Sequence, residues 1–295
     1  NIRSGEAMKN EKSKQITKSV FGSIAKDKKL GKAVEKYHGI GENGFDVCSC
    51  QFAVHYFFQD KQVLNRFLKN VAECTKLGGY FIGTCYDGKK IFNKLKNKKR
   101  GEEMELYVKT KKIWGVKKLY DEEEFLDDNT SLGYTIKVFQ ETINKSFDEF
   151  LVNFDYFTRH MENYGFQVVN EKDAQELGVK NGTGSFEDLY THMTNAVKAN
   201  PRIKNDYGTA MNMSDSEKEI SFYNRYFIFK KVSNVNIDNI IDQENERDVP
   251  TSILLKKSQE LLEKTKENKY SDGEIDEVGE VDEVDDVSEI KKTSK

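Results

Sequence analysis

Proline, cysteine and long apolar stretches are scarce in this chain of 295 residues. It contains two prolines, which excludes a proline-rich linker and a collagen-like repeat. No run of 18 apolar residues occurs, and the first residues, Asn-Ile-Arg-Ser, do not lead into an apolar segment. The sequence therefore predicts neither a membrane-spanning helix nor a secretory signal. Aromatic residues are plentiful instead, with 19 Phe and 14 Tyr, which predicts a folded chain with a sizeable core.

Acidic residues are concentrated near the C-terminus. Residues 271–290 contain ten acidic residues and neither Lys nor Arg, whereas residues 1–270 contain 44 basic and 40 acidic residues, a net charge of +4. A mildly basic body is compatible with a nucleic-acid partner. The same charges also suit a solvated globule with a disordered acidic tail, and charge alone does not choose between the two.

The four cysteines predict neither a zinc site nor a disulfide. Cys48 and Cys50 form a C-x-C pair without a second close pair, and no histidine follows at the spacing of a zinc ligand. Because they lie two residues apart, both would point to the same side of a strand. We expect Cys48, Cys50, Cys74 and Cys85 to be reduced and mostly buried, which suits an intracellular compartment, and we expect no structural metal.

A strand, a helix and a second strand follow one another between residues 45 and 85. Residues 45–50 are a short apolar run, typical of a strand buried on both faces. Residues 61–76 have apolar side chains every three or four positions, which predicts an amphipathic helix that ends at Gly78 and Gly79. Residues 80–85 form a second apolar strand. This βαβ unit predicts an α/β fold with a parallel sheet.

The rest of the chain divides into a folded part and a polar C-terminal part. We expect, in order, a basic helix at 89–100, antiparallel strands around 108–114 and 135–139, a helix at 147–166, a strand at 167–170 and a strand at 220–232. Beyond residue 235 the chain is polar, with a short helix expected at 251–265. These features predict a domain at residues 1–235, followed by a linker and a disordered tail at residues 236–295.

Polar side chains follow the first strand of the βαβ unit. Gln51, His55 and Tyr56 come just after its end, and ligands of open α/β sheets bind beyond the carboxyl ends of strands. A binding site at this place is one hypothesis, and an ordinary helix start is the other. The sequence contains no H-E-x-x-H, P-loop or G-x-G-x-x-G motif and no Ser-His-Asp order, so hydrolase, metalloprotease and nucleoside-triphosphatase functions lack support.

Two long motifs carry a family resemblance. The segment FDVCSCQFAVHYFF (45–58), followed by a helix and LGGYFIGT, resembles the catalytic domain of mRNA cap guanine-N7 methyltransferases. CYDGKKIF and NRYFIFKK further resemble the versions of large DNA viruses, where this domain often ends a multifunctional capping enzyme. The resemblance covers residues 1–232. It implies a Rossmann-like, S-adenosylmethionine-dependent methyltransferase fold with cap-binding insertions.

Five residues match family positions that contact the two substrates. By this resemblance, Gln51 and Tyr56 would contact the methyl donor, S-adenosylmethionine. His55, Glu149 and Tyr226 would bind the cap guanine. Glu149 lies in Asp-Glu-Phe-Leu-Val, which matches the family's Pro-Glu-Phe-Leu-Val, and Tyr226 lies in Arg-Tyr-Phe-Ile-Phe. No catalytic base is expected, because guanine N7 carries an available lone pair.

The sequence also departs from the family pattern. The family's Gly-rich donor-binding loop and the acidic end of its next strand are absent, and Ser23 stands in Phe-Gly-Ser where the family has Gly-Asp. The chain begins without Met. We therefore expect a fold whose first strand or strands are missing from this chain, as in a fragment that begins just after the donor loop.

The resemblance implies transfer of a methyl group from S-adenosylmethionine to N7 of the cap guanine of mRNA. The implied partners are 5′-capped RNA and, in a capping complex, guanylyltransferase and triphosphatase domains or a stimulatory subunit. The implied location is the host cytoplasm or the virion for a viral protein and the nucleus for a cellular one.

Other readings stay open beside this one. One is a non-catalytic cap- or RNA-binding subunit that keeps the fold without binding the donor, and another is a small-molecule methyltransferase. The basic residues at 89–100 suit a track for RNA phosphates and equally a solvated helix face.

Overall fold

The computed structural model describes residues 2–247, and residues up to 241 form one compact unit. The helices are α1 (Glu11–Val20), α2 (Lys32–Lys36), α3 (Lys61–Cys74), α4 (Gly88–Leu95), α5 (Phe154–Asn163), α6 (Glu171–Glu176), α7 (Phe186–Ala199), α8 (Asp215–Phe222) and α9 (Ile237–Arg247). The strands are β1 (Phe45–Gln51), β2 (Thr75–Tyr86), β3 (Glu103–Val108), β4 (Lys111–Lys118), β5 (Thr135–Gln140), β6 (Lys145–Phe150), β7 (Phe166–Val168), β8 (Thr183–Ser185) and β9 (Asn224–Lys231). In this part of the chain, no helix combines the length and the apolar character that crossing a membrane requires. The helix predicted at 251–265 and the acidic tail lie outside the described residues.

The first sheet has the order β1-β2-β9-β7, and β8 also pairs with β9. β1 and β2 run parallel, whereas β9 runs antiparallel to its neighbours. Helix α3 connects the two parallel strands and buries Leu64, Leu68 and Val71 in the core of this sheet. The side chain of Asp60 caps the helix by accepting a hydrogen bond from Val63 N at 2.8 Å. The predicted βαβ unit and the Rossmann-like α/β fold are confirmed.

Strand β1 differs from the prediction of a strand buried on both faces. Within residues 2–247 it pairs only with β2, so it lies at the edge of the sheet. Cys48 and Cys50 pack against the core on one face, but on the other face Val47 is 50% exposed. An apolar composition makes burial favourable, yet only neighbouring elements can bury a strand.

The cysteines have free thiols and are mostly buried, as predicted. Cys85 is fully buried, while Cys48, Cys50 and Cys74 are partly exposed. Desolvation raises the pKa of Cys85 to about 12 and those of Cys50 and Cys74 to about 11. These three thiols therefore stay protonated and weakly reactive near neutral pH.

The two glycines predicted to end α3 lie inside β2 instead. The helix ends one residue before Thr75, which already pairs with Phe45 of β1. The next pair of this ladder joins Tyr80 to Val47, so the residues between Thr75 and Tyr80 bulge out of the ladder. Gly78 has a φ of 79°, a left-handed conformation that glycine adopts without a Cβ clash.

The second sheet is an antiparallel meander, β3-β4-β5-β6, inserted between α4 and α5. It shares a core with α4, to which the helix contributes Ile91, Phe92 and Leu95 and strand β4 contributes Trp114 and Val116. The antiparallel strands predicted in this region are confirmed. The basic helix is shorter than predicted, because α4 ends at Leu95 and the last lysines of 89–100 follow it.

The helix predicted at residues 147–166 is wrong in its first part. Residues up to Phe150 form β6, in which Glu149 lies opposite Ile136 of β5. Helix α5 begins only after Asn153, whose side chain accepts a hydrogen bond from Tyr156 N at 3.2 Å. Short apolar runs fit both periodicities, and pairing with β5 makes this one a strand.

The strand predicted at residues 220–232 also begins later than expected. Helix α8 extends to Phe222, and β9 starts at Asn224. Phe227 and Phe229 of β9 belong to the core of the first sheet, together with residues of α3 and α5. Helix α9 follows past residue 235, and its residues Ile237 and Ile240 pack against the same core.

Candidate functional site

A cavity of about 520 Å³ opens where the carboxyl ends of β1 and β2 meet the second sheet. This is the edge at which open α/β sheets bind ligands. The first sheet and the segments next to it contribute Phe52, His55, Tyr56, Tyr86, Ile220 and Asn224. The second sheet and its last turn contribute Ile113, Trp114, Val138, Gln140, Thr142, Ile143, Phe147 and Glu149.

His55 and Glu149 face each other across this cavity. His55 lies in a short 3-10 helix that follows β1, and Glu149 projects from β6. Nε2 of His55 lies 3.5 Å from Oε2 of Glu149, and the two residues are 4% and 6% exposed. Among the described residues, neither nitrogen of His55 nor Oε2 of Glu149 has a hydrogen-bond partner. Buried polar atoms without partners are rare, which makes this pair a candidate for binding a ligand.

Burial moves both groups toward their neutral forms. Desolvation lowers the pKa of His55 to about 4 and raises the pKa of Glu149 to about 7. At neutral pH the pair is therefore a neutral imidazole beside a half-ionised carboxyl group, and it is not a salt bridge. A ligand with N–H donors would favour the carboxylate form by hydrogen bonding to it.

Tyr56 stands at the rim of the same cavity. Its ring packs edge-on against the imidazole of His55, with ring centroids 4.2 Å apart, and it is 43% exposed. Desolvation and the nearby Glu149 carboxylate raise the pKa of Tyr56. Tyr56 therefore offers a protonated phenol and an aromatic face between the buried pair and solvent.

Gln51 and Tyr226 are not part of the cavity lining. Gln51 pairs with Thr84, and Thr84 pairs with Tyr226, so the three residues form one row across neighbouring strands. The Gln51 amide donates to Ser49 Oγ at 3.0 Å and accepts from Thr84 Oγ1 at 2.9 Å. The Tyr226 hydroxyl donates to the carbonyl oxygen of Asn181 at 2.9 Å. The structure thus brings three of the five predicted site residues together, and the roles of Gln51 and Tyr226 stay predictions.

Comparison with known proteins gives the family. The model of the mRNA (guanine-N(7))-methyltransferase domain matches residues 3–232. The chain belongs to this family. The resemblance seen in the sequence is therefore confirmed, and the domain is related to enzymes of both viruses and cells.

Two curated relatives illustrate this methyltransferase family. A probable mRNA-capping enzyme of Acanthamoeba polyphaga mimivirus is 27% identical over 226 residues, which are 70% of this chain and 19% of that protein. The mRNA cap guanine-N(7) methyltransferase of Saccharomyces cerevisiae is 27% identical over 224 residues, which are 74% of this chain and 47% of that protein. The chain thus spans less than half the length of these relatives.

Solved structures are similar only in outline. The CcbJ methyltransferase from Streptomyces caelestis superposes with a TM-score of 0.36 and 10% sequence identity, over 65% of this chain and 59% of that chain. This likeness is loose, and the family assignment rests on the sequence match.

Much of the wall of this cavity could not be predicted from the sequence. Trp114 is buried, and its Nε1 donates to the hydroxyl of Tyr86 at 2.9 Å, which fixes two aromatic side chains of the lining. Asn224 is the residue that β9 contributes, and its amide donates to the carbonyl oxygens of Ile220 and Ser221 at the end of α8. A lone tryptophan in an alternating segment is a usable signal, whereas nothing in the sequence around Asn224 marks it as a lining residue.

Proposed function

We propose that this domain transfers a methyl group from S-adenosylmethionine to N7 of the guanine that caps mRNA. The observation that carries the proposal is the buried His55–Glu149 pair, whose facing polar atoms have no hydrogen-bond partner among residues 2–247. Guanine offers N1–H and its 2-amino group along one edge, and a carboxylate can accept both hydrogen bonds. Held in this way, guanine keeps N7 free for the reaction.

The residues of the cavity need only bind and orient guanine. N7 attacks the sulfonium methyl carbon through its own lone pair while the C–S bond breaks and S-adenosylhomocysteine leaves, so the main contribution of the residues is proximity and alignment. As the bond forms, positive charge spreads over the purine and makes N1–H and the 2-amino group more acidic. Hydrogen bonds to Glu149 then strengthen, which stabilises the transition state more than the bound substrate. His55 is neutral at pH 7 and offers one donor and one acceptor to the same base.

The methyl donor would lie at the carboxyl end of β1. Phe52 and Tyr56 are exposed aromatic side chains there, at 52% and 43%, and Gln51 is the last residue of the strand. Aromatic faces and an oriented amide suit an adenosyl group, so Gln51 and Tyr56 would hold it. When bound, the donor supplies an electrophilic sulfonium methyl group.

Calorimetric titration of the 295-residue chain tests this function. We expect the chain to bind the cap analogue GpppA and, in a separate titration, S-adenosylhomocysteine. Glu149→Ala should abolish binding of GpppA and leave that of S-adenosylhomocysteine nearly unchanged. Binding of GpppA alone would favour the non-catalytic cap-binding subunit, and binding of neither ligand would contradict the proposal.

The proposed partner is 5′-capped RNA. The proposed place of binding is inside the cell, where mRNA caps are made. The mimivirus relative, named a probable mRNA-capping enzyme, supports a setting in which guanylyltransferase and triphosphatase activities lie close by. Co-purification of these activities with the chain from its natural source tests this setting, and their absence would contradict it.

A further inference from the structure

A second, open groove of about 470 Å³ lies beside the cavity. It is formed by α4, α8 and the start of α7 and is lined by Lys90, Lys94, Glu187, Asp215, Lys218, Glu219, Phe222 and Tyr223. Three lysines, three carboxylates and two aromatic side chains line it, and Lys94 Nζ lies 5.9 Å from the centre of the Tyr223 ring. Basic residues interleaved with aromatic rings are typical of sites that bind single-stranded nucleic acid.

The groove and the cavity share a wall. Trp114 lines the cavity and Tyr223 lines the groove, and their rings stack with centroids 5.3 Å apart. Asn224 and Ile220, which line the cavity, are chain neighbours of groove residues. The cavity and the groove therefore lie on either side of one stacked aromatic pair.

Lys94 and Lys218 are the most available positive charges of the groove, because Lys90 also donates to the carbonyl oxygen of Phe222 at 3.2 Å. Lys218 lies 3.6 Å from Asp215, and Lys90 lies 3.9 Å from Glu187, and such exposed pairs contribute little stability. Lys94 makes no ion pair within the part of the chain that the structure describes. Just past the end of α4, Lys96 and Lys99 are two further exposed lysines. These side chains can turn toward phosphates at small cost.

We propose that this groove holds the phosphates and nucleotides that follow the first nucleotide of the capped RNA strand. Lys94 of α4 and Lys218 of α8 would pair with phosphates from the two helices that form the groove. The inference rests on the proposed function, because the cap guanine in the cavity sets the point at which the strand enters. The contribution would be independent of sequence and sensitive to salt.

The test compares GpppA with a GpppA-capped RNA of 12 nucleotides, both titrated into the 295-residue chain at several salt concentrations. We expect the capped RNA to bind about tenfold more tightly at low salt, and this gain to fall as salt rises. The double variant Lys94→Ala, Lys218→Ala should lose the gain and reduce the salt slope by about 1.4, since each phosphate contact on a single strand contributes about 0.7. Its affinity for GpppA should stay within about twofold of wild type.

A matched control removes two lysines elsewhere. Lys12 of α1 and Lys29 are exposed and lie outside the elements that line the groove, so Lys12→Ala, Lys29→Ala should keep the gain. The charge-preserving variant Lys94→Arg, Lys218→Arg should keep it as well. A gain that persists in the groove variant, or that the control variant loses equally, would overturn the proposal.

The same titrations separate this inference from the proposed function. If GpppA does not bind, the cap site fails, and an uncapped 5′-triphosphate RNA of 12 nucleotides then tests the groove by itself. Weaker binding of that RNA to the groove variant than to the control variant supports the groove. Equal binding to both rejects it.

Discussion

The cavity and the row of Gln51, Thr84 and Tyr226 are both polar, yet they differ in how their hydrogen bonds are satisfied. In the row, the Gln51 amide and the Tyr226 hydroxyl have protein partners. In the cavity, the facing atoms of His55 and Glu149 have none among the described residues. An unsatisfied buried group costs free energy that a ligand can recover, whereas a satisfied one mainly holds the fold. Burial without partners is therefore the better mark of a binding site than closeness to a strand end.

The largest expected effect is loss of methyl transfer in Glu149→Gln. Glutamine has one neutral oxygen in place of the two charged oxygens that would accept hydrogen bonds from guanine. We therefore expect methyl transfer to GpppA-capped RNA to fall by about 100-fold or more. The measurement is incorporation of labelled methyl from S-adenosylmethionine. Asp148→Asn is the matched control, because Asp148 is the exposed neighbour on the same strand and should change transfer little. Equal losses in both variants would remove Glu149 from the site.

Glu149→Gln should also stabilise the folded protein at alkaline pH. Folding raises the pKa of Glu149 from 4.5 to about 7, so the folded state binds more protons than the unfolded state in this range, and stability falls as pH rises. The glutamine variant escapes this loss, so its advantage over wild type should grow by about 2 kcal/mol between pH 5 and pH 8. Urea unfolding at the two pH values measures it. An advantage that is independent of pH would contradict the raised pKa.

Affinity for GpppA should rise with pH in the wild-type chain. Only the ionised carboxylate accepts both hydrogen bonds from guanine, and a pKa of about 7 predicts about a tenfold gain in affinity from pH 6 to pH 8. His55, with a pKa of about 4, stays neutral across this range and adds no slope. Calorimetric titration at three pH values would show the rise. An affinity that does not change with pH would mean that the carboxylate does not accept hydrogen bonds from guanine.

The smallest effect is expected in the row. Tyr226→Phe removes the hydrogen bond to the carbonyl oxygen of Asn181 and should cost about 1 kcal/mol of stability. We expect it to change the affinity for GpppA by less than about threefold, since the phenol already has a protein partner. The same titration measures this. A loss of tenfold or more would show that Tyr226 reaches the guanine, as the family resemblance implies, and would weaken the contrast between the two regions.

Local sequence patterns predicted the elements whose neighbours lie close in the chain. The strand from Phe45, helix α3 and strand β2 follow from apolar spacing, because each contacts the next along the chain. The patterns failed where a distant partner decides. Glu149 was placed on a helix, and only pairing with β5 makes its segment a strand and turns its carboxyl group toward His55.

The residues of the candidate site divide in the same way, into those that local sequence predicts and those that only the fold brings together. His55 and Tyr56 could be predicted from their place after a strand, and the family motifs added Glu149. Phe52, Trp114 and Asn224 could not be assembled from the sequence, because they come from three separate segments that meet only in the folded domain. No local periodicity records which segments will meet.

The sequence by itself determined the α/β class, the family and the chemical types present at the site, since periodicity and motif are properties of consecutive residues. Only the tertiary structure decided that β1 lies at a sheet edge, that Oε2 of Glu149 is buried with no hydrogen-bond partner among residues 2–247, and that Tyr226 lies outside the cavity lining. Burial, hydrogen-bond satisfaction and pKa depend on what surrounds a side chain. Those surroundings are built from residues that are far apart in the chain.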